Sequence, residues 1–267
     1  MRALAFTWSI TQLRTLALLS VLVLSACNTT NNPPDPRAVE TNLSPVKSIT
    51  VELAEKRGAE LFAKDTYAAK ATDLLLQKDL LNASSGVLGW ITEIKNDRPI
   101  TYFIGGTSNE YKIVFEVQYK DGETPELVKS SAISKELSDK FTVRELSLQS
   151  IQAPCSRNYN TIVIENSDDY IVYALASTTE NNKIVVGGHY RFTYSKVNSS
   201  LISKERLSNS CLVLNNSEGS IPFATHILTE TPLEIHAYLG KLHGEFYVST
   251  KSGLYKAKNG KLELLKK

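Results

Sequence analysis

The chain has 267 residues, 42% of them hydrophobic, with 30 Lys and Arg against 28 Asp and Glu. That is enough apolar material for one large or two small folded domains. Arg2 and Arg14 account for the whole formal excess of +2, so the chain beyond them is near neutral, and the general electrostatic case for a nucleic acid or acidic polymer as partner is removed.

The first residues combine Arg2 and Arg14 with the apolar run Leu16 to Leu24, and no acidic residue precedes Cys27. A basic start followed by about ten apolar residues is the pattern of a secretory signal. A membrane-spanning helix needs roughly 20 such residues, and Asn28-Thr29-Thr30-Asn31-Asn32 ends the run well short of that. The run closes on Leu24-Ser25-Ala26-Cys27, which resembles the lipobox of bacterial lipoproteins. The resemblance covers the signal alone. It implies cleavage before Cys27, acylation of the Cys27 sulfur and membrane lipid as a partner. Asn28 in the next position implies delivery to the outer membrane, with the domain facing the periplasm. The alternative is ordinary cleavage that leaves Cys27 as a free thiol.

Residues 1–26 are thus expected to be removed. Residues 27–47, with Pro33, Pro34, Pro36 and Pro45 and few large apolar groups, read as a flexible tether. Residues 48–267 are left as a single α+β domain.

From Val51 to Leu81 there is no proline, and Leu53, Leu61, Phe62, Ala68, Ala71, Leu75 and Leu81 fall near helical spacing. Gly58 would divide this stretch into two helices or be carried within one. Three β-rich runs follow at Trp90–Ile94, Ile100–Ile104 and Lys112–Val117, separated by turn-forming residues. Their spacing predicts antiparallel hairpins. Ser131 to Ile151 turns helical, with Thr142 to Glu145 fitting a capping box. A second β-rich region covers Thr161–Ile164, Tyr170–Ala176, Lys183–Tyr194 and Leu201–Leu207. Four short segments from Glu234 to Leu265 read as a closing meander.

A shift of 71 positions pairs Ile91 with Ile162, Tyr102 with Tyr173 and Lys112-Ile113-Val114 with Lys183-Ile184-Val185. Two related helix-plus-meander units would produce this; so would the turn and β-branched residues that any two meanders share.

Cys155 and Cys211 remain once Cys27 is acylated, and in an oxidising compartment an even pair reads as a disulfide. The signatures GxSxG, HExxH, GxGxxG and the P-loop are all missing from the sequence. Candidate chemistry rests on His189, His226, Glu234 and His236, with Glu234 and His236 alternating on one strand face. Two imidazoles and a carboxylate suit acid–base work or zinc; isolated histidines in β-rich proteins also serve as hydrogen-bonded structural groups. Gly105-Gly106 and Gly187-Gly188 read as turn or bulge glycines, or as anion-binding nests. Strand tyrosines such as Tyr102, Tyr119, Tyr173 and Tyr190 would fill the sheet core or form a face for a glycan or protein. The expectation is a lipid-anchored envelope protein with a non-enzymatic binding domain and no cofactor. The alternative is a periplasmic hydrolase or metal-dependent enzyme built on the four-residue set.

Overall fold

Thr50 starts the first helix by accepting a hydrogen bond from the Leu53 backbone N–H at 3.2 Å, which satisfies one of the donors a helix start leaves free. Helix α1 (Val51–Gln77) then runs unbroken for 27 residues. Its buried face follows the 3–4 spacing Ala54, Gly58, Leu61, Lys64, Ala68, Ala71 and Leu75. The computed structural model describes residues 40–107, 110–178, 180, 182–217 and 219–267; the signal, Cys27 and the expected tether up to residue 39 lie outside the described residues.

After α1 come β1 (Val87–Lys95), β2 (Arg98–Thr107), β3 (Glu110–Lys120) and β4 (Thr124–Val128), an antiparallel meander in that order. Helix α2 (Lys135–Ser150) is followed by β5 (Asn158–Glu165), β6 (Asp169–Ser177), β7 (Lys183–Val185), β8 (Tyr190–Ser195) and β9 (Leu201–Arg206). Of these, β5-β6-β8-β9 form a second antiparallel sheet, while β7 leaves it to pair with β10 (Val213–Asn215). The chain ends with β11 (Phe223–Thr225), helix α3 (Glu234–Leu242), β12 (Phe246–Thr250), β13 (Gly253–Lys258) and β14 (Lys261–Lys266), which build a third sheet. The fold class is α+β.

Two units of helix plus meander therefore stand where the 71-residue offset places them. Ile91 pairs with Tyr102 across β1 and β2, and Ile162 pairs with Tyr173 across β5 and β6. The correspondence stops at the third strand. Tyr102 pairs onward with Glu116, whereas Tyr173 pairs with Arg191, four residues past the offset position. The run Lys183–Tyr194, expected as one β-rich stretch, breaks at Val186–His189, where Gly188 takes φ +88°.

Two further expectations are corrected, and of the two alternatives for Gly58, the residue is carried within one unbroken helix. The N-cap of α2 is Ser134, which accepts from Leu137 N–H at 3.1 Å, and Thr142 lies inside the helix with its hydroxyl on the Ser138 carbonyl. Glu234 to Tyr238 is helix, part of α3, along which the apolar Ile235, Tyr238 and Leu239 are buried at a 3–4 spacing. Gly58 lets two helices touch: a Cβ there would lie 2.6 Å from the Ala237 Cβ of α3.

The second sheet is the middle layer. One face, with Ile162, Ile164, Ile171, Tyr173 and Leu175, packs with α1, α3 and the third sheet. The other, with Val163, Val172, Tyr190 and Phe192, packs with α2 and the first meander. Tyr102, Tyr119, Tyr173 and Tyr190 are all core residues, at most 9% exposed. Burial of such rings removes large apolar areas from water.

Residues 40–47, expected to belong to the flexible tether, instead form a strap across the open edge of β9. Ser44 N–H donates to the Lys204 carbonyl at 2.7 Å. Lys47 N–H donates to Glu205 at 3.1 Å. At the start of the strap the Glu40 carboxylate, its side chain 2% exposed, pairs with Lys204. It also accepts from Tyr190 OH at 2.9 Å and from Ala153 N–H at 2.8 Å. An unpaired strand edge invites pairing with another chain, and the strap covers this one. Its few apolar residues concealed it, because the strap is held by hydrogen bonds and one buried ion pair.

Burial acts to raise the Glu40 carboxyl, but Lys204, the Ala153 and Gln152 N–H groups and the Tyr190 hydroxyl outweigh it and hold the value below 4.5. Its stabilisation is complete above that pH and lost as acid carries the protein through the depressed value. Glu40→Ala leaves Lys204 buried without its carboxylate and is expected to cost about 3 kcal/mol. Urea denaturation at pH 7 measures this, and the difference from the unsubstituted protein should shrink toward pH 3.

Candidate functional site

Pro232 and Leu233 lead into α3, and the Leu233 N–H donates to His236 Nδ1 at 2.9 Å. The imidazole thus reaches back to the start of its own helix, as the third residue of a capping box does. Because α3 is a helix, Glu234 and His236 point in different directions, so the two are not neighbours on one strand face.

Glu234 is fully buried and turns toward the middle sheet. Its Oε1 accepts from Tyr173 OH at 2.6 Å and from Arg191 Nη1 at 2.6 Å. Arg191 also donates through Nε to Glu205 at 3.1 Å, through Nη2 to the same carboxylate, and through Nη2 to the Lys47 carbonyl at 2.8 Å. Burial works against the Arg191 charge, yet Glu234, Tyr173 and Glu205 raise its pKa above the ordinary value. Burial and the Glu234 charge push the Tyr173 hydroxyl well up, so it stays protonated and donates. Glu234 Oε2 has no hydrogen-bond partner.

His189 follows Gly188 and lies inside the fold, 2% exposed. Its Nδ1 accepts from Ala176 N–H at 3.0 Å and its Nε2 lies 3.0 Å from the Val185 carbonyl. A carbonyl only accepts, so the proton sits on Nε2. Both ring nitrogens are engaged. Burial pushes its pKa down to about 4.

The structure does bring His226 and His236 together, with ring centroids 4.8 Å apart and planes at 70°. Thr229 donates its one hydroxyl proton to the Thr231 carbonyl at 2.7 Å. It must therefore accept from His226, whose Nε2 lies 2.7 Å away. His226 keeps its lone pair on Nδ1, and His236 keeps its proton on Nε2. The pair offers one acceptor and one donor, both neutral. Burial moves His226 down to about 4 against the pull of Glu234, and burial with the neighbouring His226 moves His236 well below its ordinary value. Both rings line a cleft of about 310 Å³ between β11 and the segment Leu207–Leu212. Among the described residues no three His, Cys, Asp or Glu side chains form a group able to hold a metal ion.

The four candidates therefore divide between separate positions. Glu234 belongs to the Arg191 ion network, His189 bridges β6 to the β7–β8 connection, and His226 and His236 share the cleft.

A second cleft, of about 360 Å³, holds a group that the sequence reading passed over. Asp65 of α1 accepts from Tyr238 OH at 2.8 Å and from Asn160 Nδ2 at 3.2 Å. Burial raises its carboxyl pKa despite both hydrogen bonds. His243 lines the same cleft, its pKa lowered by burial. A carboxyl raised by burial in a cleft beside an imidazole is a functional-site candidate on physical grounds. The available signal was position: Asp65 sits one turn after Leu61 and just before Ala68, next to the apolar stripe.

Gly187 and Gly188 serve close approach. A Cβ on Gly187 would lie 2.1 Å from the Ser210 carbonyl oxygen, and one on Gly188 would lie 2.3 Å from the Cys155 Cβ. They leave room for the Cys155–Cys211 disulfide, whose Cα atoms are 5.3 Å apart.

His189 and His226 set a pH dependence. Their folded pKa values, about 4, lie below the ordinary 6.5, so the unfolded chain takes up protons first as pH falls. Stability from their neutral burial is complete above about pH 6.5 and declines toward pH 4, by about 1.4 kcal/mol per pH unit for each ring. Urea titrations at pH 7, 6 and 5 should show this decline, and imidazole proton NMR at pH 5.5 should show both rings still neutral. Compared with protein-family models, curated proteins and solved structures, the chain matches none.

Proposed function

We propose that this chain is a lipid-anchored protein of the bacterial cell envelope, held at the outer membrane through Cys27, whose folded domain binds a partner rather than catalysing a reaction. Three features support the location: the signal pattern, the lipobox-like Leu24-Ser25-Ala26-Cys27, and a Cys155–Cys211 pairing of the kind that persists in an oxidising compartment.

The observation that carries the binding reading is how the polar groups are used. The Glu234 carboxylate, the Arg191 guanidinium and both His189 nitrogens are bonded to other parts of the fold. These groups hold elements together. The surface that favours a partner is the outer side of β11. There Ile221, Phe223 and Ile227 are 68%, 49% and 57% exposed, alternating with buried Pro222, Ala224 and His226. β11 is also the edge strand of its sheet, and an apolar edge is a site for another chain to add. An envelope protein fits this surface better than a glycan, because the strand tyrosines that would stack on sugar rings lie in the core.

Mass spectrometry of the amino-terminal peptide from a membrane fraction should find cleavage before Cys27 and an acylated sulfur. A free Cys27 thiol or an intact Met1 end would overturn the anchor. For the partner, photo-crosslinking from position 227 in whole envelopes should capture a defined protein, and adding Phe223→Glu should abolish the adduct at unchanged stability. Crosslinking that gives no adduct in any growth condition counts against the binding reading.

A further inference from the structure

Arg206 has an unusual set of neighbours. It closes β9, opposite Tyr190, and its Nη2 donates to Cys155 Sγ at 3.0 Å and lies 3.5 Å from Cys211 Sγ. Its Nε is buried with no hydrogen-bond partner. Among the described residues no carboxylate lies within ion-pair distance of it, although Lys140, Arg144, Arg191 and Lys204 all have one. A guanidinium gains little from a disulfide sulfur, which is a weak neutral acceptor. It would gain far more from a thiolate, through a charge-assisted hydrogen bond. The charge is therefore better satisfied when the disulfide is open.

The two sulfurs are also unequal. Cys211 is exposed, whereas Cys155 is half-buried and is the one nearer Arg206. Thiol–disulfide exchange is fastest when the attacked sulfur is accessible and the departing sulfur is a stabilised, low-pKa thiolate. This pair presents both conditions in the right order.

We propose that Cys155–Cys211 is a site of thiol–disulfide exchange with a dithiol, in which Arg206 stabilises the departing Cys155 thiolate. The attacking thiolate of the dithiol forms a bond to Cys211 Sγ. The Cys155–Cys211 bond breaks, and its electron pair leaves on Cys155 Sγ beside Arg206. The second thiol of the dithiol, on losing its proton, then attacks its own partner sulfur in the mixed disulfide and releases Cys211, which takes up a proton. The dithiol is oxidised to a disulfide, the protein gains two electrons, and one proton is released while Cys155 stays a thiolate. The reverse sequence makes the reduced protein a donor of electrons. This chemistry does not depend on the binding reading or on acylation of Cys27.

The test uses the full chain, with dithiothreitol and glutathione as probes. Arg206→Met is expected to slow reduction by dithiothreitol at least tenfold and to shift the thiol–disulfide equilibrium tenfold toward the oxidised form, about 30 mV for this two-electron couple. Arg206→Lys should restore most of both. Equal rates and equilibria for the protein and Arg206→Met would overturn the proposal. A measurement on the unsubstituted protein guards against misfolding of the variant. After reduction, alkylation by iodoacetamide as a function of pH, read on each cysteine peptide, should place Cys155 below the ordinary thiol value of about 8.5 and below Cys211. Coincident curves at the ordinary value would overturn the proposal. So would a glutathione adduct found on Cys155 in place of Cys211.

Discussion

Arg191 is the point at which the parts of this fold are joined. It stands on β8, takes one carboxylate from β9 and one from the start of α3, and donates to the backbone of the strap at Lys47. Tyr173 of β6 shares the same Glu234 oxygen. One guanidinium thereby sets the distance between the middle sheet, the last helix and the segment that covers the sheet edge. Removing such a charge from water costs several kcal/mol, and the cost is recovered only when its donors meet well-placed acceptors. Four elements must be in place before that happens, so the ion cluster rewards one arrangement and penalises others.

A similar arrangement recurs on the other side of the sheet. Lys140 of α2 meets Glu93 of β1 and Glu165 of β5 at 2.6 Å each, joining the two meanders through a helix. Burial opposes the charge of Glu165, but Lys140 and Lys196 hold its carboxyl down to about 2. The chain thus locks its layers with buried cations between carboxylates, and the apolar clusters fill the space around them.

The fold was largely legible where local chemistry dictates it. The period of α1, the β-rich runs and the turns at Asn96-Asp97 and Asn259-Gly260, whose residues take positive φ, all lie close to where their residues point. The 71-residue offset anticipated the shared pairing of the first two strands in each unit. What local pattern could not show was the use of a residue by distant neighbours. Gly58 looks like a helix breaker until Ala237 is seen against it. Glu40, in a proline-rich segment without apolar weight, gives no sign of its contacts with Lys204 and Tyr190. The candidate histidines were found as residues but not as sites, because whether an imidazole is available depends on which backbone groups have already claimed its nitrogens. Asp65 was missed for the opposite reason: one acid beside an apolar stripe looks like an ordinary solvated helix position.

The strap also decides where tension would enter the molecule. If Cys27 is anchored at a bilayer as proposed, the 13 residue steps to Glu40 span at most about 45 Å, so a domain that drifts farther would pull on its own edge. The pull would reach the Glu40–Lys204 pair and the Ser44–Lys204 hydrogen bond before it reached α1. Detachment of the strap from β9 would be the first event under load. Such release would uncover a strand edge only when the domain is tugged away from its support.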